Sequence, residues 1–195
     1  EYTILVGLVR LGATGLVGKA LVKKCLQNGF NVHYLTTRKS KIKLQENYKG
    51  FYWNPQLEII DISCFEGVNV IINLAGSSIA QRWTKAYKSL ILSSRKKALE
   101  LLHLSIETHD FPVKHIISAS AIGIYPDSKT RYYEEDFQGT DISFLITVVR
   151  SWEGALKAFN ALGVKTTALR IGIVLDKHEG ALPKISGPIK GYIGS

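Results

Sequence analysis

The stretch Leu11-Gly12-Ala13-Thr14-Gly15-Leu16-Val17-Gly18-Lys19 decides the fold of this chain. It follows the apolar segment Thr3–Val6 and opens an amphipathic segment, so it predicts a strand, a tight glycine turn and a helix. Glycines let the backbone approach a phosphate closely, and the N-terminus of the following helix offers that phosphate free N–H groups. The stretch therefore predicts a dinucleotide-binding turn. Its spacing is GxxGxxG rather than GxGxxG, and a purely structural glycine turn is the alternative.

Strands and helices alternate along the rest of the chain. The continuous apolar run Val68–Leu74 is typical of a strand covered on both faces. This alternation predicts an α/β, Rossmann-like, doubly wound parallel sheet with right-handed crossovers. The predicted strands are Thr3–Val6 (with continuation to Leu11 as an alternative), Asn31–Thr36, Gly50–Pro55, Val68–Leu74, Val113–Ser118 and Val164–Ile171. The predicted helices are Leu16–Asn28, Arg82–Glu107 and Ser143–Leu162.

Composition indicates a globular protein with one sizeable core. The chain has 195 residues, 46% hydrophobic and 21% charged, and its cysteines are Cys25 and Cys64, both in apolar surroundings. We therefore expect no disulfide framework, and we expect a cytoplasmic location. No apolar run approaches the roughly 20 residues that cross a bilayer, so we expect no membrane association. The scattered histidines lack metal-ligand spacing, so no metal site is predicted.

The net charge of +9 leaves two interpretations open. Nucleic-acid binding is one, but no zinc-finger, helix-turn-helix or aromatic RNA-binding motif accompanies the charge. A solvated basic surface that attracts phosphorylated small molecules is the favoured one, so we expect a small-molecule substrate and no nucleic acid. No oligomeric state is predicted.

In a doubly wound sheet the ligand lies beyond the carboxyl ends of the strands, near the point where the strand order reverses. The second predicted strand is followed by Thr37, Arg38 and Lys39, where an NAD site would place Asp or Glu on the ribose hydroxyl. A guanidinium and an ammonium suit a 2′-phosphate instead, which favours NADP over NAD. A basic surface turn is the alternative interpretation of these cations.

Small and hydroxylic residues follow the next two strands. Ala75 and Gly76 follow the fourth strand and would let the backbone pass beside a ribose. The fifth strand is followed by Ser120, whose hydroxyl would bond a substrate oxygen beside the nicotinamide; a turn-forming serine is the alternative.

The chain resembles the extended and atypical short-chain dehydrogenase/reductases, in particular the branch of epimerase-family proteins labelled nucleoside-diphosphate-sugar epimerases. The matching residues are Gly12-Ala13-Thr14-Gly15-Leu16-Val17-Gly18, Thr37-Arg38, Ile72-Asn73-Leu74-Ala75-Gly76, Gln81-Arg82-Trp83, Ser94-Arg95, Ser118-Ala119-Ser120-Ala121-Ile122-Gly123, Trp152-Glu153 and Leu169-Arg170-Ile171-Gly172-Ile173-Val174-Leu175. They run in order over nearly the whole chain. The resemblance implies an NADP site lined by Gly12, Ala13, Thr14, Gly15, Leu16, Val17, Thr37, Arg38, Leu74, Ala75, Gly76, Arg95 and Val174. It also implies that Ser120 is the active-site hydroxyl.

Two features depart from the family pattern. Gly7-Leu8-Val9-Arg10 lengthens the approach to the glycine turn. The family's Tyr-x-x-x-Lys pair, in which the lysine lowers the pKa of the tyrosine, is missing from the stretch Phe144–Arg150. The chain has one such spacing, from Tyr125 to Lys129, but Pro126 and the polar residues after it predict a loop. Tyr125 is retained as a candidate substitute acid.

These observations support two functions. One is an NADP-dependent oxidoreductase or sugar-nucleotide epimerase that transfers hydride, with Ser120 and Tyr125 as catalytic residues. The other is an NADP(H)-sensing binding protein that has lost turnover. We expect residues 1–175 to form the Rossmann domain and residues 176–195 to begin a small C-terminal substrate-binding part, most of which lies outside this sequence.

Overall fold

The computed structural model describes residues 3–7, 15–137, 139, 142–177, 179–183 and 185–186. Three residues of the predicted phosphate turn, Gly12, Ala13 and Thr14, lie outside the described residues, as does the lengthened approach from Leu8 to Arg10.

A mainly parallel sheet forms the centre of the described chain. Its strands are β1 (Thr3–Gly7), β2 (Asn31–Thr36), β3 (Leu44–Gln45), β4 (Tyr48–Asn54), β5 (Ile59–Ile60), β6 (Val68–Asn73), β7 (His115–Ala121) and β8 (Lys165–Ile171). The strand order is β3-β4-β2-β1-β6-β7-β8, with β5 paired to β4 beside this path. Along this order the pairings from β4 to β8 are parallel, whereas β3 and β5 are antiparallel to β4. The predicted Rossmann-like architecture is therefore confirmed, with its reversal point between β1 and β6.

Within the described residues, the two faces of the sheet are covered by the helices α1 (Leu16–Gln27), α2 (Lys85–His109) and α3 (Phe144–Lys157). Alternate residues of β1 point to opposite faces, as strand geometry requires. Ile4 and Val6 join the apolar cluster under α1, and Leu5 joins the larger cluster under α2 and α3. β1 is thus buried on both sides.

Local capping explains where the helices begin and end. The Thr84 hydroxyl accepts a hydrogen bond from the N–H of Tyr87 (3.2 Å), so α2 begins at Lys85 rather than at the predicted Arg82. The Ser143 hydroxyl likewise accepts one from Ile146 (3.2 Å). Gly163, with φ of 71°, ends a 3-10 turn over Ala158–Leu162, so α3 itself is shorter than predicted.

The other differences from the predicted elements arise from strand pairing. β4 begins at Tyr48 rather than Gly50 because Tyr48 pairs with both Val32 and Gln45. The sequence does not predict β3 and β5, which have two residues each and no burial alternation. β7 extends to Ala121 because it pairs with β8 along its whole length, which places Ser120 inside the strand rather than after it.

Cys25 and Cys64 are both buried free thiols. Among the helices in the described ranges, none has the length and apolar character needed to span a bilayer.

A pair of leucines on α2 tests the assignment of the core. Leu102 is fully buried whereas Leu104 is 53% exposed. We expect Leu102→Ala to lower the free energy of unfolding by about 3 kcal/mol, because it leaves a cavity against the sheet. Leu104→Ala carries the same change in helix propensity and should cost less than about 1 kcal/mol. Urea denaturation of both variants measures the difference, and equal losses would contradict this packing.

Candidate active site at the carboxyl edge of the sheet

The N-terminus of α1 lies at the edge where the parallel strands end. Gly15 is the N-cap residue and makes no side-chain cap, in contrast to Thr84 and Ser143 on α2 and α3. No acidic residue lies in the first turn of α1, so nothing there neutralises the positive end of the helix dipole. Gly15, Leu16 and Val17 therefore offer N–H groups suited to an anion.

The segment after β8 contacts the same helix. Lys19 on α1 forms an ion pair with Glu179 (2.6 Å), and Leu175 bridges Gly180 in the turn that carries Glu179. A Cβ at Gly180 would lie 3.0 Å from the carbonyl oxygen of Val174 and 3.3 Å from Cδ2 of Leu16, so the structure brings Val174 close to Leu16.

Thr37 and Arg38 follow β2 on the other side of β1. The Arg38 side chain is exposed, and its backbone N–H donates to the Thr36 hydroxyl (3.2 Å). A 3-10 turn over Lys39–Lys41 follows, where a Rossmann unit more often has a helix. Arg38 is thus an exposed cation at the edge of the sheet next to β1.

Asn73, the last residue of β6, shapes the segment that contains Leu74, Ala75 and Gly76. Its side-chain Nδ2 donates to the Ser118 hydroxyl (3.0 Å), and its Oδ1 accepts from the N–H of Ala75 (3.1 Å). Sequence reasoning assigned no site role to Asn73. The signal that could have found it was a polar residue at the end of an apolar run, because a buried carboxamide needs partners.

Arg95 on α2 contacts this segment from the helix side. It donates to the carbonyls of Ser77 (3.1 Å) and Ile91 (2.9 Å), and its guanidinium carbon lies 5.0 Å from the ring centroid of Trp152. A Cβ at Gly76 would lie 3.0 Å from the same carbon, so a larger residue would press on the guanidinium. Burial lowers the pKa of Arg95. The hydrogen bond to the carbonyl of Ser77 makes Arg95 a support for the segment from Leu74 to Ser77, and the bond to Ile91 fixes the guanidinium on its own helix.

The two candidate catalytic residues, Ser120 and Tyr125, are joined by one polar chain. The Ser120 hydroxyl donates to Glu153 Oε1 (2.6 Å), and Arg170 donates to both carboxylate oxygens of Glu153 through Nε and Nη2 (3.0 Å each). Nη1 of Arg170 donates to the Tyr125 hydroxyl (2.8 Å) and to the carbonyl of Glu135 (2.7 Å). Ser120 and Arg170 are register partners on β7 and β8, which explains why a residue of α3 reaches both.

The Glu153 carboxylate and the Arg170 guanidinium keep each other ionised. The side chains of Arg170 and Glu153 are 17% and 12% exposed. Burial is the largest single influence on the pKa of Glu153 and raises it, but the hydrogen bonds from Arg170 and Ser120 together lower the pKa below its ordinary value. The hydrogen bond to Glu153 is the main reason that the pKa of Arg170 is raised. The pair is therefore a fixed carboxylate and a fixed guanidinium at neutral pH.

Tyr125 lies in a loop, as Pro126 predicts. It follows a 3-10 turn over Ile122–Ile124, and its ring stacks on Tyr133 with 5.7 Å between centroids. The guanidinium of Arg170 lies 5.2 Å from the centre of the Tyr125 ring. Lys129, four residues on, lies in the same non-helical segment, so the structure does not place it one helical turn from Tyr125.

A cavity of about 190 Å³ adjoins the polar chain. Glu153 and Arg170 line it, together with Ile124, Phe137, Gly139, Arg150, Gly154 and Lys157. The carboxylate that holds Ser120 therefore has an opening beside it. Within α3, Ile146, Val148 and Val149 are buried apolar residues, so the helix side where the resemblance would place a Tyr/Lys pair carries no such chemistry.

Residues 9–144 match the family model described as NAD dependent epimerase/dehydratase family. The chain belongs to this family. An epimerase family protein of Staphylococcus saprophyticus is 33% identical to it over 187 residues, which cover 94% of this chain and 60% of that protein. The epimerase-family chain thus spans about 60% of the length of this relative.

Two solved structures have the same fold as this family member. The human epimerase family protein SDR39U1 (isoform 2) with NADPH superposes with a TM-score of 0.75 at 24% identity, over 99% of this chain and 61% of that one. MoeE5 in complex with UDP-glucose and NAD superposes with a TM-score of 0.76 at 18% identity, over 98% of this chain and 60% of that one.

The pH dependence of stability tests the Glu153–Arg170 pair. We expect Glu153→Gln to lower the free energy of unfolding by about 2 kcal/mol at pH 7, because it removes a carboxylate that accepts three hydrogen bonds. Because folding lowers the pKa of Glu153, its stabilisation is complete above the ordinary glutamate pKa of about 4.3 and is lost as the pH falls through the folded value.

Urea denaturation between pH 3 and 7 measures this difference, which should shrink below about pH 4. Glu100→Gln is the matched control, since Glu100 is 51% exposed in an i,i+4 pair with Lys96 and should cost less than about 0.5 kcal/mol. A difference that does not change with pH would contradict the assignment.

Proposed function

We propose that this chain is the NADP(H)-binding part of an oxidoreductase or sugar-nucleotide epimerase, and that Tyr125 and Ser120 serve a hydride transfer at a carbinol or carbonyl carbon. The observation that carries the proposal is the hydrogen bond from Arg170 to the Tyr125 hydroxyl (2.8 Å) at the carboxyl edge of the sheet. It gives the chain a tyrosine beside a fixed cation although the family's Tyr-x-x-x-Lys pair is missing.

Three parts of the edge fit nicotinamide adenine dinucleotide phosphate: the start of α1, the residues after β2, and the residues after β6 together with Val174. The uncapped start of α1 at Gly15 suits the pyrophosphate, and Gly12, Ala13 and Thr14 precede it in the sequence. Thr37 and Arg38 stand where the 2′-phosphate would be bound, and no acidic residue stands there to favour NAD. The human protein of the same fold is seen with NADPH and MoeE5 with NAD, so the preference for NADP is proposed on Thr37 and Arg38 alone. Leu74, Ala75, Gly76 and Val174 would line the remainder of the site, and Arg95 would hold Leu74 to Ser77 in place.

Reduction of a carbonyl needs a hydride, which a bound nicotinamide supplies, and one proton at the carbonyl oxygen. Because the Tyr125 oxygen accepts from Arg170, its own proton is directed elsewhere and is the one available for donation. We assign this proton to the substrate oxygen, which becomes the hydroxyl of the product. Arg170 then faces the phenolate that remains until water returns the proton.

Ser120 has a different role in this scheme. Its proton is committed to Glu153, so its Oγ presents lone pairs and accepts a hydrogen bond from a substrate hydroxyl. Because Ser120 is only 4% exposed, its Oγ offers little surface, and the substrate hydroxyl must reach it at the end of β7 to make this bond. Ser120 therefore orients a hydroxyl, while Tyr125 donates to a carbonyl.

A nucleotide sugar is the proposed substrate class. UDP-glucose binds to MoeE5, a protein of the same fold, and sugars carry the carbinol groups on which reversible hydride transfer acts. We further propose that residues 1–175 form the cofactor domain and that substrate contacts lie largely in sequence beyond it.

A second candidate function is NADP(H) sensing without turnover. The buried apolar side chains of Ile146, Val148 and Val149 on α3 favour it, because this helix offers no Tyr/Lys pair. The two functions share the cofactor site and differ in whether the bound nucleotide exchanges hydride with a substrate.

Nucleotide titration tests the cofactor proposal. We expect the chain to bind NADPH more tightly than NADH, and Arg38→Gln to raise the Kd for NADPH about tenfold or more, because the guanidinium no longer meets the 2′-phosphate. The Kd for NADH should stay within about twofold. Nicotinamide fluorescence measures both constants. Lys114→Gln removes an exposed cation at the opposite edge of the sheet and serves as the control. Equal binding of both nucleotides would overturn the role of Arg38.

Oxidation of a panel of nucleotide sugars by NADP⁺, followed as formation of NADPH, separates enzyme from sensor. We expect Tyr125→Phe to lower kcat about 100-fold and leave the Kd for NADPH unchanged, because it keeps the ring and removes the hydroxyl that donates the proton and accepts from Arg170. Ser120→Ala should also lower kcat. Tyr132→Phe, which changes a side chain that is 96% exposed on the same loop, is the control. NADPH binding without oxidation of any sugar would favour the sensor.

A further inference from the structure

The connection between β2 and β4 carries an unusual density of positive charge. Arg38, Lys39, Lys41 and Lys43 lie within six residues, and no acidic residue stands between them. Like charges this close repel one another, and the 3-10 turn over Lys39–Lys41 is too short to hold itself in place. Contacts from the sheet must therefore fix this basic turn, defined here as residues 38–43.

The phenol of Tyr34 on β2 holds the far end of the basic turn. Its hydroxyl donates to the carbonyl of Lys41 (2.8 Å) and accepts from the N–H of Lys43 (2.7 Å). Tyr34 is 4% exposed, and its ring stacks on Tyr48 with 4.4 Å between centroids. Burial raises the pKa of Tyr34, so the hydroxyl keeps the proton that it donates.

Gly50 makes the room for that ring. It is the register partner of Tyr34 on β4, and a Cβ at Gly50 would lie 2.5 Å from both Cζ and the hydroxyl oxygen of Tyr34. The N–H of Gly50 also donates to the carbonyl of Lys43 (2.8 Å). Lys43 is therefore held through both its backbone groups, and any larger residue at position 50 would displace the phenol.

The near end of the basic turn presents its cations at the carboxyl edge. The N–H of Arg38 donates to Thr36, and the N–H of Lys41 donates back to the carbonyl of Arg38 (2.9 Å). The ammonium of Lys39 lies 5.2 Å from the centre of the Tyr52 ring. Hydrogen bonds at both ends fix the backbone from which Arg38 and Lys39 project, so binding of a phosphate there loses less free energy to ordering the turn.

We propose that Tyr34, in the space left by Gly50, is a specificity-determining positioning residue: it fixes the basic turn so that Arg38 and Lys39 recognise the phosphate that distinguishes NADPH from NADH. This inference rests on the proposed function, because it takes the phosphate of NADP(H) as the ligand of the turn. Tyr34 itself touches no ligand and acts through the backbone of Lys41 and Lys43.

Tyr34→Phe tests the inference because it keeps the stacked ring and removes both hydrogen bonds to the basic turn, together with the hydrogen bond between the hydroxyls of Tyr34 and Tyr48. We expect the Kd for NADPH to rise about tenfold, since two hydrogen bonds that order the turn are lost, while the Kd for NADH changes less than about twofold. Gly50→Ala should act in the same direction without removing any hydroxyl. Fluorescence titration gives the constants, and circular dichroism with thermal unfolding verifies that each variant is folded.

A double-mutant cycle separates positioning from a general loss of structure. If Tyr34 acts through the basic turn, Tyr34→Phe should raise the Kd for NADPH by a smaller factor once Arg38→Gln is present than it does in the unchanged chain, because only Lys39 is then left to position. A preference for NADPH that survives both Tyr34→Phe and Gly50→Ala would overturn this inference and leave the proposed cofactor intact. Effects that add fully with Arg38→Gln, or that weaken NADH equally, would overturn it as well. Equal binding of the two nucleotides by the unchanged chain would overturn both.

Discussion

The parallel pairing of β1 with β2 on one side and with β6 on the other is the constraint on which the rest of the structure depends. The chain leaves β1 toward α1 on one face and leaves β6 toward α2 on the other, so the two connections diverge and open a crevice at the strand ends. Leu5 packs on one face, and Ile4 and Val6 pack on the other. Because both faces are covered, β1 cannot shift by one residue without burying the wrong side chains.

Two partly buried cations order the edge that this crevice exposes, and each is neutralised differently. Arg95 is held by backbone carbonyls and by the face of Trp152, whereas Arg170 is held by the carboxylate of Glu153. A buried charge without such partners would be strongly destabilising, so each cation fixes the groups that surround it. In consequence the hydroxyls of Ser120 and Tyr125 have defined donor and acceptor directions although no Tyr-x-x-x-Lys pair is present.

Residues next to a strong local signal could be predicted from the sequence, and residues that depend on distant partners could not. Arg38 follows an apolar strand without any acidic residue, and the structure has it exposed at the expected edge. Nothing adjacent to Glu153 predicts its bond to Ser120, because the two residues lie 33 positions apart and meet only when α3 packs on β7. The roles of Tyr34 and Gly50 could not be predicted from the sequence either, because only the pairing of β2 with β4 places the Tyr34 ring in the space that a side chain at position 50 would occupy.

The sequence by itself determined the fold class and the order of the main strands and helices, and it predicted the edge of the sheet at which a dinucleotide would bind. Those properties follow from local periodicity and from residues at strand ends, which act over a few positions. Only the tertiary structure decided that β7 extends past Ser120, that Arg170 is the cation beside Tyr125, and that Tyr34 holds the basic turn. The reason is physical: hydrogen-bond direction and steric space are set by groups that become neighbours only when the sheet forms and the helices pack on it.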